Sequence, residues 1–231
     1  MGKARLRVMP AREGLRLSAE AVGRILAKGV RPGRIEPCAF RRAPAKRRRD
    51  FKGHAKRWRY GQRAERPGEL VRIDHMSLSR DGQQLKEFKA VSPVGEHMVA
   101  RAYSRATANN ARRLLDAVRA DMPHELLSIQ VDGGSEFMAE FEAAREELHI
   151  PLFVPPPRRP QFNGCVERAN DTTRVEFWNL CDGDFTVAEA NRALLTCQHF
   201  HNHARPHQAL DYMTPNEYLQ AQDCPTKSHM S

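Results

Sequence analysis

Three acids, Asp74, Asp132 and Glu167, stand where chemistry can be done. Asp74 interrupts an apolar, alternating run, Leu70 to Met76. Asp132 ends a short apolar run and is followed by Gly133-Gly134-Ser135-Glu136-Phe137. Glu167 falls in the first turns of a helix that opens after Asn163-Gly164. Carboxylates are hard oxygen ligands suited to Mg²⁺, which takes one or two of them and keeps room for water and substrate phosphate. Three carboxylates can hold two such ions, the arrangement used for in-line phosphoryl displacement. Glycines beside Asp132 let a backbone or a phosphate come close. A helix start near Glu167 offers amide dipoles to a phosphate. Any one of these acids alone is weak, because a chain with 28 Asp and Glu has many at strand ends and helix starts.

Elements that position these acids follow from periodicity. Leu70–Met76 alternates as a strand, Asp81-Gly82 is a turn signal, and Leu85–Val91 is a second strand, so the pair reads as a hairpin. His97–Tyr103 is a third strand. Residues 106–122 form a helix with Ala111, Leu114, Leu115 and Val118 on one face. Leu127–Val131 is a buried strand ending at Asp132, Phe137–Leu148 a helix and Ile150–Val154 a short strand. Pro155–Pro160 is an irregular loop. Asn163 can cap a helix running to about Leu180, another covers roughly 187–202, and Thr214-Pro215 opens a last one. This order predicts an α/β domain on a mixed sheet, three antiparallel strands followed by strands reached through helical crossovers.

The charge is unevenly placed. Residues 1–66 hold 21 Lys and Arg against 5 Asp and Glu, and residues 67–231 hold 17 against 23, so a strongly basic arm precedes a mildly acidic body. Within the arm a short amphipathic helix is expected over 17–29, capped by Ser18 and stopped by Gly29. Residues 30–68 lack apolar periodicity and carry Lys46-Arg47-Arg48-Arg49 and Lys56-Arg57. Such a block attracts polyanions through counterion release, and nucleic acid is the commonest partner. Trp58 and Tyr60 suit stacking on bases or packing on the next domain. With 40% hydrophobic residues and no run of 18 apolar ones, a packed core and no membrane span are expected. Five cysteines without a CxxC pair predict neither a disulfide framework nor a zinc ribbon, and a reducing, cytoplasmic compartment.

Val131-Asp132-Gly133-Gly134-Ser135-Glu136-Phe137, Asn163-Gly164-Cys165-Val166-Glu167-Arg168 and Asn202-His203-Ala204-Arg205-Pro206-His207-Gln208-Ala209-Leu210 together resemble the integrase core of bacterial insertion-sequence transposases, which is related to the retroviral integrase catalytic domain. The resemblance covers about residues 67–220. It implies a ribonuclease H-like fold, with a mixed five-stranded sheet flanked by helices behind the basic N-terminal arm. It implies a D,D,E triad, Asp74, Asp132 and Glu167, binding two Mg²⁺ or Mn²⁺ ions, with Asp74 bridging them. The implied activity is that of a transposase or integrase. It cuts a phosphodiester at an element end and joins the new 3′-OH to target DNA (DNA integration, recombination and transposition). The implied partners are element-end and target DNA and further copies of the chain, in a nucleoid-associated setting.

Asn170 and Arg174 share a helical face with Glu167, and relatives carry DNA-contacting residues at similar positions. Arg159-Pro160 stands where many relatives have Ser-Pro, and the extra cation could touch phosphate. Arg159, Asn163, Asn170, Arg174, Lys46, Arg47, Arg48, Arg49, Lys56 and Arg57 are therefore the expected DNA contacts. Thirty-four residues separate Asp132 from Glu167, one fewer than the nominal family spacing. The expected organisation is a partial helix-turn-helix remnant over 1–30, a basic arm over 31–66, the core over 67–222 and a disordered tail over 223–231. Two rival readings are a truncated remnant that binds DNA without transposing and a structure-selective nuclease of the same fold. The cluster His199, His201, His203 and His207 could suggest zinc, but spacings of two do not share a helical face and no Cys pair completes a tetrahedral site. Unlike the retroviral proteins, this arm has only His54 and Cys38, so no paired His–Cys module precedes the core.

Overall fold

A computed structural model describes residues 8, 14, 16–30, 63–155, 164–182 and 184–222. The basic clusters of the arm, Trp58, Tyr60, most of the 155–163 loop and the 223–231 tail lie outside the described residues. Helix α1 (Ala19–Val30) forms where the amphipathic stripe predicts it, with the Ser18 hydroxyl accepting from the Ala21 amide at 3.1 Å.

The hairpin is β1 (Val71–Arg80) and β2 (Gln83–Val91), antiparallel. Asp81 and Gly82 both take positive φ, +48° and +77°. A two-residue hairpin turn of matching twist needs that conformation, which explains the Asp-Gly pair. β3 (Met98–Tyr103) adds to β2 antiparallel, whereas β4 (Ile129–Val131) and β5 (Leu152–Phe153) extend the other side in parallel. The order across the sheet is β3-β2-β1-β4-β5. Helix α2 (Ala108–Asp121), capped by Thr107, connects the antiparallel part to β4, and α3 (Glu140–Glu147) connects β4 to β5. Then come α4 (Gly164–Glu176), α5 (Val187–His199) and α6 (Pro215–Ala221).

Strand alternation divides the core into two layers. Val71 and Ile73 of β1, with Phe88 and Ala90 of β2, pack against Ala111, Leu114, Leu115 and Val118 of α2 and against Phe137 and Phe141. Met76 and Leu78, with Leu85, Ala100 and Ala102, pack on the opposite face against Trp178 and against Ala190 and Leu194 of α5. The expected helix to about Leu180 is shorter: α4 ends at Glu176 and a 3₁₀ turn carries Trp178–Leu180. The expected helix to 202 becomes a π-helical turn over Phe200–Ala204. This turn brings Asn202 back onto the sheet.

β3 is an edge strand, and its outward amides need partners. Three side chains on and just after α5 supply them. Asn202 accepts from the Met98 amide at 3.0 Å and donates to its carbonyl at 2.8 Å. Asn191 does the same at Ala102, at 2.9 and 2.8 Å, and Gln198 accepts from the Ala100 amide at 3.1 Å. The edge is thus closed by side chains rather than by another strand.

Beneath that edge lie two facing imidazoles, His97 and His124, 6.4 Å apart in an edge-on contact. Burial, then the charges that His124 and His203 would carry, pull the His97 pKa down from 6.5 to about 3. Its native pKa is below its unfolded value, so the unfolded chain binds more protons in between. The stability contribution is therefore full above pH 6.5 and is lost as pH falls toward 3. At pH 4.5 the loss is about 2–3 kcal/mol. Urea unfolding at pH 7 and 4.5 should show this loss as the difference in pH dependence between wild type and His97→Leu. An unchanged pH slope in that variant would refute the assignment.

Candidate active site

Strand register brings the first two acids together. β1 and β4 run parallel with Ile73 opposite Val131 as the last pair. Asp74 and Asp132 are each the next residue, at the point where β4 ends and β1 continues. Adjacent strands stand about 4.8 Å apart, so these two carboxyl-bearing residues are neighbours.

Asp132 is held by its own loop. Its Oδ1 accepts from the Gly134 amide at 3.1 Å. Gly133 takes φ +84°, which a side chain would resist. At Gly134 the demand is for space, since a Cβ there would stand 2.2 Å from Glu136 Oε1. Glu136 is buried and meets His75 Nδ1 at 2.8 Å, on the sheet face opposite Asp74. The glycine pair thus shapes the turn and admits the Glu136 carboxylate.

Helix α4 delivers the third acid by lying along β1. Arg72 Nη1 meets Cys165 Sγ at 3.3 Å, Asn170 Nδ2 donates to Asp74 Oδ2 at 3.2 Å, and Arg174 Nη2 reaches Met76 Sδ at 3.5 Å. From 165 to 174 the helix rises about 13.5 Å. From 72 to 76 the strand advances about 13 Å. The two elements therefore keep step, and Glu167 projects from the first turn, exposed, beside the Asp74–Asn170 contact.

Electrostatics links the other two acids to Asp74. The Asp74 pKa is raised from 3.8 to about 6, first by burial, then by the negative charge of Asp132, and also by that of Glu167. The backbone amide and the charge of His75 oppose the rise, the amide donating to Asp74 Oδ1 at 2.8 Å. Three carboxylates, two of which raise the pKa of the third, are by their chemistry the hard oxygen donors that a small divalent cation takes. Among the described residues, no three His, Cys, Asp or Glu side chains are gathered closely enough around one point to hold an ion.

Asn170 is buried and turned toward Asp74, so in this structure it holds a carboxylate rather than facing solvent. Arg174 is half exposed, with Nη1 3.3 Å from Asp171 Oδ1. It stands at the mouth of an open cleft of about 740 Å³ that runs past Arg80, Ser77 and Trp178. The described residues lining that cleft do not include the three acids. Arg159 and Asn163, like the cations at 46–49 and 56–57, lie outside the described residues. The histidines engage the protein instead. His207 Nδ1 meets Glu96 Oε2 at 2.6 Å, His201 Nε2 meets the Glu96 carbonyl at 3.0 Å, and Arg205 pairs with Glu176.

Residues 148–215, which include the helix that carries Glu167 and the Arg205-Pro206-His207 run, match the family model described as integrase core domain. The fold is that of an integrase catalytic core. The chain superposes on the HTLV-2 integrase catalytic core domain, solved with magnesium, at TM-score 0.55 and 16% identity, covering 68% of this chain and 99% of that one. A simian T-cell lymphotropic virus intasome chain matches at TM-score 0.60 and 19% identity, over 97% of this chain and 72% of that one. The BIV integrase core matches at TM-score 0.51 and 22% identity, over 67% and 96%. No curated protein matches the chain. The mixed five-stranded sheet flanked by helices is the ribonuclease H-like fold expected from the motifs. No helix among the described residues is long and apolar enough to cross a membrane.

Two further residues behind the site carry no motif. Glu87 and Lys89 on β2 have fully buried side chains and pair at 2.9 Å directly behind α4. A signal was present: Leu85, Glu87, Lys89 and Val91 share one strand face, while Phe88 and Ala90 share the other. Both faces are apolar, so the two charges between them must pair.

Proposed function

We propose that this chain is a polynucleotidyl transferase of the transposase and integrase kind, acting on DNA. The observation that carries this reading is the register that sets Asp74 and Asp132 side by side at the end of β4, with α4 and Glu167 laid along β1, on a sheet with the fold of an integrase core. Residues 67–222 form the catalytic core in this reading, residues 31–66 a basic arm for DNA, and residues 1–30 part of an end-recognition unit. Asp74, Asp132 and Glu167 hold two Mg²⁺ or Mn²⁺ ions, which when bound supply a nucleophile at neutral pH and steady charge on the leaving oxygen.

The protein's own groups bind and orient. Asn170 and the His75 amide fix the two oxygens of Asp74, and the Gly134 amide fixes Asp132. Asn163, Arg159 and Arg174 serve as DNA contacts in this reading, and the arm cations, Lys46, Arg47, Arg48, Arg49, Lys56 and Arg57, add affinity that is independent of sequence. A water oxygen attacks phosphorus at the element end, the P–O3′ bond breaks, and the departing 3′-oxygen takes a proton. The new 3′-OH then attacks a target phosphodiester in the same way, releasing its proton to solvent as the target 3′-oxygen leaves. The open setting of the acids suits a polymer rather than a small molecule. At least two copies are needed to act on two element ends together.

The test uses a branched DNA that resembles the strand-transfer product, with Mg²⁺ or Mn²⁺. Its resolution demands little end specificity. Glu167→Gln should lower the rate by about 10³-fold with DNA binding retained. Equal rates in variant and wild type would sink the triad.

A further inference from the structure

We infer that Lys89 is a positioning residue that fixes α4 over β1, and so sets Glu167 against Asp74. The inference rests on the reading of these acids as a metal-binding cluster. Lys89 and Glu87 side chains have no solvent exposure at all. Burying such a pair is rarely the cheapest way to stabilise a fold, because well-packed apolar residues of similar volume do as well or better. Its presence calls for something that apolar packing does not supply, and direction is what a hydrogen-bonded charge adds.

The ammonium makes two hydrogen bonds to α4 and an ion pair with Glu87. Lys89 Nζ meets Glu87 Oε1 at 2.9 Å, Thr173 Oγ1 at 2.6 Å and the Ala169 carbonyl at 3.2 Å. The second oxygen of Glu87 accepts from Trp178 Nε1 at 2.5 Å. Two strand residues therefore grip α4 at consecutive turns and the 3₁₀ turn beyond it. Lys89 is also the ladder partner of Asp74. The rung that carries the first acid thus carries the group that locates the helix of the third. Ala169 and Thr173 flank Asn170, which itself bonds Asp74.

Apart from the Arg72, Asn170 and Arg174 contacts along β1, the rest of the contact is non-directional. Val166 and Ala169 pack on Val91 and Met98, a small apolar seam. Such a seam tolerates sliding or rotation of a helix by a fraction of a turn. The Lys89 bonds do not, since hydrogen bonds weaken steeply as angles and distances depart from their optimum. A shift of about 1 Å at Glu167 is enough to spoil a ligand set.

The test compares wild type with the double variant Lys89→Met, Glu87→Gln, which removes both charges and keeps an acceptor for Trp178. Thr173→Val removes one acceptor without exposing a charge, and Thr173→Ser restores it. Mn²⁺ affinity by calorimetry, thermal midpoint and strand joining are measured on the full chain. We expect a melting midpoint within a few degrees of wild type, Mn²⁺ binding at least 5-fold weaker and joining at least 10-fold slower in the double variant. Thr173→Val should lie between, and Thr173→Ser should recover the affinity. Unchanged Mn²⁺ affinity and joining in the double variant overturn the inference. If that variant does not fold, Thr173→Val decides in the same terms. Wild type that binds Mn²⁺ but joins no DNA overturns the proposed function, and metal affinity still decides the role of Lys89. Wild type that binds no Mn²⁺ overturns both.

Discussion

Asp74→Asn should abolish strand joining and, without metal, make the protein more stable at pH 7.5. The two effects share one cause. Burial and the charges of Asp132 and Glu167 hold the Asp74 pKa at about 6 instead of 3.8. The native state therefore binds this proton more tightly than the unfolded chain. The stability contribution of Asp74 is full below pH 3.8 and is lost as pH rises through 6. At pH 7.5 the ionised carboxylate is a cost of up to about 3 kcal/mol, reduced to about 1–2 by solvent screening at this partly open site. Asparagine removes the charge and keeps an oxygen for the His75 amide. Its NH₂ would face Asn170, whose Oδ1 meets no donor and can turn to accept it.

Urea unfolding in chelator should show the variant gaining at pH 7.5 and the gain fading by pH 4. Adding Mg²⁺ should reverse the order, because only wild type then gains from ligand binding. A variant less stable than wild type at pH 7.5 would refute the electrostatic account. The His97 term runs the other way, losing stability as pH falls below 6.5. The two terms oppose each other between about pH 4 and 6.5, and because the His97 shift is the larger, metal-free wild type should be somewhat more stable at pH 7.5 than at pH 4.

Much of this arrangement is legible in the sequence because it depends on short-range pattern. Alternation and the Asp81-Gly82 turn place Asp74 on a strand, and an apolar run ending at Asp132 places the second acid at a strand end. The parallel pairing that makes them neighbours follows from the helical crossover between them. What the sequence leaves hidden depends on direction across the sheet. Asn170 shares a face with Glu167 and Arg174, yet that face meets β1, so its amide turns in to Asp74 while Arg174 reaches the rim. Glu87 and Lys89 look like surface charges until α4 is laid over them. The polar residues of α5 look like a solvated face, yet Asn191, Gln198 and Asn202 close an edge strand. In each case a side chain's role is set by a partner about 80–100 residues away.

The Arg205-Pro206-His207 run leads to the second large effect. Arg205→Ala should cost about 3 kcal/mol of stability, measured by urea unfolding at pH 7. Arg205 Nε and Nη2 meet the two Glu176 oxygens at 2.9 and 3.2 Å, a bidentate pair with 4% and 18% side-chain exposure. Removing the arginine leaves a carboxylate in a half-dry place, at the last residue of α4, where the helix dipole is also unfavourable to it. Arg205→Met with Glu176→Gln, which leaves neither charge stranded, should recover most of the loss. A DNA-contacting arginine would behave otherwise: its loss would weaken DNA binding, lower the salt dependence and leave stability alone. Full stability in Arg205→Ala with weakened DNA binding would therefore refute the structural role. The buried position of the guanidinium favours the first outcome, since the group that ties the end of α4 to the turn after α5 cannot at the same time face a phosphate.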